Sequence, residues 1–278
     1  MLLTSVSLVS CGGKSVFDAE KNISVVARED GSGTKSAFME IIGLKGKSDV
    51  SGVIIASGTA AVLTEVKSNP LAIAYESLGY VTDDVKMLKV DGVEATVENI
   101  KNGSYKIARP LNIVYQESVL SDELNQAFLT FLQSSTAQEI ITAEGYVSTN
   151  DNSEPYTIVS GLSGKITVSG STSLQPLMGV LAEKFEELQS GVSVTVSGGG
   201  SGQGYTNAND GVSTFGMISE TFNQEKADKC TSYQVAKDGI AVIVNKANTI
   251  DNISLEALKN IYDADAGDNA VKTWSQVK

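Results

Sequence analysis

Three times in this chain an apolar strand runs into a short turn of glycine and hydroxyl residues, and the turn runs into a helical repeat. The first turn is Arg28-Glu29-Asp30-Gly31-Ser32-Gly33-Thr34. It lies between the apolar stretch 23–27 and a helix with Phe38, Ile41 and Ile42 on one side. The second is Ser169-Gly170-Ser171-Thr172-Ser173, before Leu174, Leu177, Met178, Leu181, Phe185 and Leu188 at helical spacing. The third is Ser197-Gly198-Gly199-Gly200-Ser201-Gly202-Gln203-Gly204, after the alternating stretch 192–196. Small residues at a helix start leave backbone N–H groups unpaired and pointing outward. The helix dipole adds partial positive charge at that end, which suits a tetrahedral anion. Three such turns in one chain predict one converging anion site. Ser32 and Thr34 add hydroxyls to it, and Arg28 adds a planar, permanently charged fork.

Composition narrows the chemistry. The chain has 278 residues, enough for two lobes with separate cores, and is 41% hydrophobic. A net charge of −12 argues against nucleic acid or an anionic membrane surface as the main partner. A small anion is compatible with it, because a nest of N–H groups and one Arg acts locally. There is no His, so the commonest general base and zinc ligand are missing. Cys11 and Cys230 form no metal motif, and neither cofactor nor metal is expected.

The start of the chain reads as an export signal. Residues 1–10 are apolar or small and lead into Leu8-Val9-Ser10-Cys11-Gly12-Gly13, which resembles a bacterial lipobox with Cys11 as the lipidated residue. The segment is short and lacks the usual basic residues before its apolar run. Residues 1–21 are taken as signal and tether. Lipidation would leave Cys230 a free thiol.

Between the turns the sequence gives further elements. Pro70-Leu71-Ala72-Ile73-Ala74-Tyr75 reads as a buried strand that Ser77-Leu78-Gly79-Tyr80-Val81 continues. A long extended segment spans 105–115, with Pro110 at an edge or a crossing. Ser121 is expected to open a helix with Leu124, Phe128, Phe131 and Leu132 on its apolar face. Residues 148–163 are polar and glycine-containing, the clearest linker. Phe215-Gly216-Met217-Ile218-Ser219 is a short strand, and 239–245 an apolar strand central to a sheet. Trp274 is expected to anchor the helix carrying Leu255, Leu258, Ile261 and Tyr262.

On the three turns, on Phe215 through Ser219, on Ala236 through Asn245, on Asn69 through Val81 and on Gly145-Tyr146-Val147, the chain resembles the phosphate-binding lipoproteins of bacterial phosphate ABC transporters. The resemblance covers nearly everything after Cys11. It implies an α/β, two-lobed periplasmic-binding-protein-like (type II) fold, each lobe a mixed β-sheet flanked by helices, with a ligand cleft between them. It also implies capture of inorganic phosphate without chemistry, delivery to a membrane permease, an extracytoplasmic location with a lipid anchor at Cys11, and no nucleic-acid partner.

The order of the halves differs from the family's. There, the segment like 164–278 comes first and the segment like 22–147 second, so this chain looks circularly permuted. One lobe would be 22–107 with 239–278, the other 108–238, with 148–163 joining the exchanged halves and two crossings, near 107–110 and 237–239, as hinge. A fragment of tandem gene copies would look the same. The resemblance carries ligand roles to Arg28, Ser32, Gly33 and Thr34 from one lobe, and to Thr172, Ser173, Ser201 and Ser219 from the other. Some family members have, at the position of Ser219, an Asp that accepts a phosphate proton. Glu220 and Asp30 are then candidates for such an acceptor. Two other readings stand beside this one. A paralogue that lost or changed its ligand would keep the same turns. A phosphoryl-transfer enzyme would need a phosphate-binding loop that Gly33-Thr34-Lys35-Ser36 does not match.

Overall fold

The structure is a computed structural model describing residues 16–150 and 152–277. Cys11 and the lipobox lie outside the described residues. In chain order the first half contains β1 (Ser24–Arg28), α1 (Gly33–Ile41), β2 (Ile54–Ala56), α2 (Thr59–Ser68), β3 (Ala72–Ser77), β4 (Lys86–Val90), α3 (Val97–Lys101), β5 (Ala108–Tyr115), α4 (Glu123–Gln133) and α5 (Ser135–Ala143). The second contains β6 (Gly164–Gly170), α6 (Gln175–Leu188), β7 (Val192–Gly198), α7 (Ser201–Asn209), β8 (Phe215–Ile218), β9 (Thr231–Val244), β10 (Asn252–Ile253) and α8 (Leu255–Tyr262). Among the described residues, no helix is long and apolar enough to cross a membrane.

The strands join in the order β2-β1-β3-β9-β5-β8-β6-β7, with β4 on β9 and β10 on β4. β1 is parallel to β2 and β3, and β6 is parallel to β7 and β8. Each parallel group feeds its helices from the carboxyl ends of its strands, which is where open α/β sheets build ligand sites. Two large apolar cores follow, with a smaller cluster around Val114, Tyr205 and Ile218 beside them. One holds Val26, Phe38, Ile73, Tyr75, Val242, Leu258 and Trp274. The other holds Leu111, Phe128, Phe131, Val168, Leu181, Phe185 and Phe215. Burying each large apolar side chain stabilises the fold by about 1.5–3 kcal/mol before entropy is counted.

β9 ties the cores together. Its first half pairs antiparallel with β5, and its Ile240–Val244 end pairs with β3 and β4. Val235 and Ala236 therefore enter one core, and Ile240 through Val244 the other. β5 and β9 are the two adjacent crossings, and Val147 bridges to Lys237 beside them. The two ends of the described residues run together: Asn22 bridges Thr273, Ile23 N donates to Lys272 O at 2.8 Å, and Phe17 packs edge-on against Trp274.

Two local expectations are corrected, and a third is narrowed. Asp122, not Ser121, caps α4, because its side chain accepts from Leu124 N and Ser121 closes the preceding single turn. The strand β3 stops at Ser77, and Leu78–Tyr80 form a 3-10 turn rather than an extension. Pro110 takes the crossing rather than an edge: it lies opposite Lys237, whose backbone N–H and C=O both pair with Val147, so the ladder asks no N–H of Pro110 there.

Candidate functional site

The three turns meet. Nest one is held from below by aromatic packing: Phe38 of α1 stacks on Tyr75 of β3, with Tyr262 of α8 edge-on to Phe38. Tyr75 accepts from Arg28 N at 3.2 Å, and Tyr262 donates to Val26 O, which fixes where β1 ends. Gly31 turns the chain at φ +84°, a value that favours glycine, and Ser32 then caps α1. Nest three is set by backbone contact. A Cβ on Gly204 would stand 2.2 Å from Met217 O, so only glycine lets α7 lie flat on β8 and aim its first turn inward.

Across the cleft the walls touch through these nests. Gly202 N donates to Gly31 O at 3.0 Å. Arg28 Nη2 donates to Thr172 Oγ1 at 2.9 Å, and the hydroxyls of Thr34 and Ser173 lie 2.7 Å apart. Ser219 N donates to Ser201 Oγ at 3.0 Å, and the Ser201 and Ser219 hydroxyls lie 3.4 Å apart. Gly33 sits against both serines. All eight residues expected from the sequence, Arg28, Ser32, Gly33, Thr34, Thr172, Ser173, Ser201 and Ser219, thus converge on one buried locus.

Arg28 is 1% exposed. Its Nε and Nη2 grip the Glu29 carboxylate at 2.9 Å each, while Nη1 makes longer contacts to Thr59 Oγ1 and Glu76 Oε2, at 3.4 and 3.5 Å. Burial works against its charge, but Glu29 and Glu76 outweigh that and raise its pKa. Burial likewise works against Glu29, but Arg28 and the Gly58 N–H hold its carboxyl below the usual range.

Four residues that the sequence reading left out complete the locus. Arg109, on β5, donates through Nη1 to Thr34 Oγ1 at 2.6 Å and to Ser219 O at 3.1 Å, one contact on each wall. Its Nε and Nη2 bind Asp238 of β9 at 3.2 and 3.0 Å. Glu76, at the end of β3, accepts from Ser77 N at 2.8 Å and from Ser173 Oγ at 3.4 Å. Burial pushes the carboxyl groups of Glu76 and Asp238 up, against the pull of Arg28 and Arg109 respectively. Thr59 lies 3.2 Å from Thr172. The signal was available: Glu76 and Arg109 are single charges inside apolar strands, and Asp238 sits beside Lys237 at the start of another apolar run, where a buried charge needs a partner. The candidate acceptors named from sequence are instead engaged in other ion pairs. Asp30 is 98% exposed at its side chain and pairs with Lys35, and Glu220 pairs with Lys226 at 2.6 Å.

Counted formally, the two guanidinium groups face three carboxylates, Glu29, Glu76 and Asp238, so no positive charge is left over. What remains to hold an anion is the set of helix-start N–H groups and hydroxyls, the arrangement that favours a desolvated oxyanion without a net ionic field.

The sequence matches the profile of the PBP (periplasmic-binding-protein) superfamily domain over residues 14–136 and 156–278. The chain belongs to the PBP superfamily. Within this family, the phosphate-binding protein PstS 2 of Streptococcus agalactiae is 35% identical over 264 residues, spanning 92% of this chain and 89% of that protein. The crystal structure of a phosphate-binding protein of a phosphate ABC transporter from Streptococcus pneumoniae aligns with 92% of this chain and 100% of that one, at 34% identity and a TM-score of 0.73. The phosphate-binding protein PstS of Bacillus subtilis is 34% identical over 119 residues, 41% of this chain and 38% of that protein.

Proposed function

We propose that this chain is the extracytoplasmic phosphate-binding component of a phosphate ABC import system, which captures inorganic phosphate between two lobes and offers the closed form to a membrane permease. The observation that carries this reading is the meeting of three helix-start nests on Arg28, with hydroxyls from both walls around them. Backbone N–H groups of Gly33, Thr34, Thr172, Ser173 and Ser201 and the hydroxyls of Ser32, Thr172, Ser201 and Ser219 are the donors assigned to phosphate. Arg28 supplies the charged fork, and its two long Nη1 contacts are the ones an anion displaces. No bond is made or broken. Closure about the β5 and β9 crossings completes a donor set that neither wall holds alone.

The lobes assigned are 22–107 with 239–278, and 108–238, a division supported by the two apolar cores. The exchanged order of the halves is read as circular permutation. The pairing of residues 17–23 with 272–277 supports it, because ends that lie side by side are where chains are reopened and rejoined most easily. So does the match over 92% of the chain to one relative against 41% to another. The motif ending at Cys11 supports a lipid anchor.

The test is Arg28→Ala with equilibrium dialysis of radiolabelled phosphate. The expected result is a loss of affinity of at least about a hundredfold, the scale of two charge-assisted hydrogen bonds. Unchanged affinity overturns the assignment.

A further inference from the structure

We infer that Glu76 selects the anion by fixing the direction of a hydroxyl chain, Thr34 to Ser173 to Glu76, so that the site receives an oxyanion still carrying a proton. This rests on the phosphate reading above and adds to it a residue that determines specificity by acting through others.

The geometry sets the direction step by step. Glu76 is 0% exposed, at the carboxyl end of β3. Its Oε1 accepts from Ser77 N at 2.8 Å and from Ser173 Oγ at 3.4 Å, and its Oε2 faces Arg28 Nη1 at 3.5 Å. A carboxylate held by an N–H and a guanidinium only accepts, so the single hydroxyl proton of Ser173 points to Glu76. Ser173 Oγ lies 2.7 Å from Thr34 Oγ1, and with its own proton committed it must accept there. The Thr34 proton therefore points to Ser173. Arg109 Nη1 fills one lone pair of Thr34 at 2.6 Å. Both hydroxyls thus have their protons turned away from the ligand, and each keeps a lone pair to offer.

An anion meeting those lone pairs is sorted by its protons. Inorganic phosphate keeps at least one proton near neutral pH and can donate it. Sulfate has none and sets oxygen against oxygen, the arrangement that leaves a buried acceptor unpaired. Ser219, on the opposite wall, accepts from Arg109 through its backbone carbonyl, and its hydroxyl lies against that of Ser201 rather than a carboxylate. The only carboxylate hydrogen-bonded to a hydroxyl of the assigned ligand set, among the bonds of the described residues, is Glu76.

Two substitutions cut the chain. In Glu76→Leu no acceptor is left for Ser173, so the Ser173 and Thr34 protons are freed toward the ligand and sulfate becomes acceptable. In Ser173→Ala the Thr34 proton loses its acceptor with the same result. The experiment is calorimetric titration of phosphate and of sulfate into the wild-type chain and both variants, with melting temperatures to confirm folding. Expected is a wild-type preference for phosphate that falls at least about tenfold in both variants, with sulfate affinity rising. A role confined to neutralising Arg28 would move both affinities together and leave their ratio unchanged, and that result overturns the inference. Should Glu76→Leu fail to fold, the ratio in Ser173→Ala decides. A wild-type chain that prefers phosphate, with both variants keeping that preference, refutes this inference alone. A wild-type chain that binds neither anion overturns the phosphate reading and this inference with it.

Discussion

Gly33→Ala separates closure of the cleft from integrity of the wall that carries the nest. Gly33 is the first residue of α1, where alanine does not weaken the helix. A Cβ there would stand 2.2 Å from Ser201 Oγ, 2.8 Å from Ser219 Oγ and 2.9 Å from Ser201 Cβ. The two hydroxyls can rotate away. The Ser201 Cβ cannot, and a normal carbon contact of about 3.5 Å or more requires the walls to part by at least about 0.6 Å along that line. Donors on opposite walls then no longer reach one anion together. Losing one or two charge-assisted hydrogen bonds costs about 2–4 kcal/mol, a rise in Kd of about 30- to 1,000-fold. Calorimetry with phosphate reads the Kd, and thermal unfolding without phosphate reads the fold. The expected pair is weakened binding with an unshifted Tm. Binding within about threefold of wild type, with the same unshifted Tm, would refute the claim that the walls meet at Gly33 when phosphate is held.

Arg109→Met leaves Asp238 buried without the two guanidinium donors that share its Oδ2, a loss of about 3–5 kcal/mol that should lower the Tm by roughly 10 °C; a shift of a degree or less in calorimetry would contradict the hinge ion pair. Burial pushes the phenols of Tyr75, Tyr105, Tyr146 and Tyr262 up, so the native state keeps protons that the unfolded chain releases near pH 10. The unfolded state then binds fewer protons, stability falls as pH rises above about 10, and phenolate absorbance should rise in step with the loss of near-ultraviolet dichroism. Ionisation of these tyrosines while the dichroism persists would contradict their burial.

Much of this site was legible because turns and helix starts write themselves in short, local patterns. Glycine, serine and threonine between an apolar run and a helical repeat mark an N-terminal nest wherever they occur, and the three turns marked in this way meet, whereas Ser219 entered only through the family resemblance. Arg109, Glu76 and Asp238 were less legible because their role depends on long-range pairing. Arg109 meets Thr34 and Ser219 across separations of 75 and 110 residues, set by the pairing of β5 with β9 and β8. What the sequence did carry was the anomaly of a charge in Ala-Ile-Ala-Tyr-Glu-Ser, a strand every residue of which is buried. Local boundaries shifted where two signals compete within a residue or two. Asp122 and Ser121 both can cap, and the aspartate wins because its carboxylate reaches Leu124 N at 2.9 Å.

The most direct test of phosphate capture by a single chain is calorimetric titration of phosphate into the monomeric fraction of the wild-type protein, with sulfate as the control. The account predicts one phosphate per chain, and no comparable heat from sulfate. A folded monomer that gives no heat with phosphate, or that takes sulfate equally well, would contradict it.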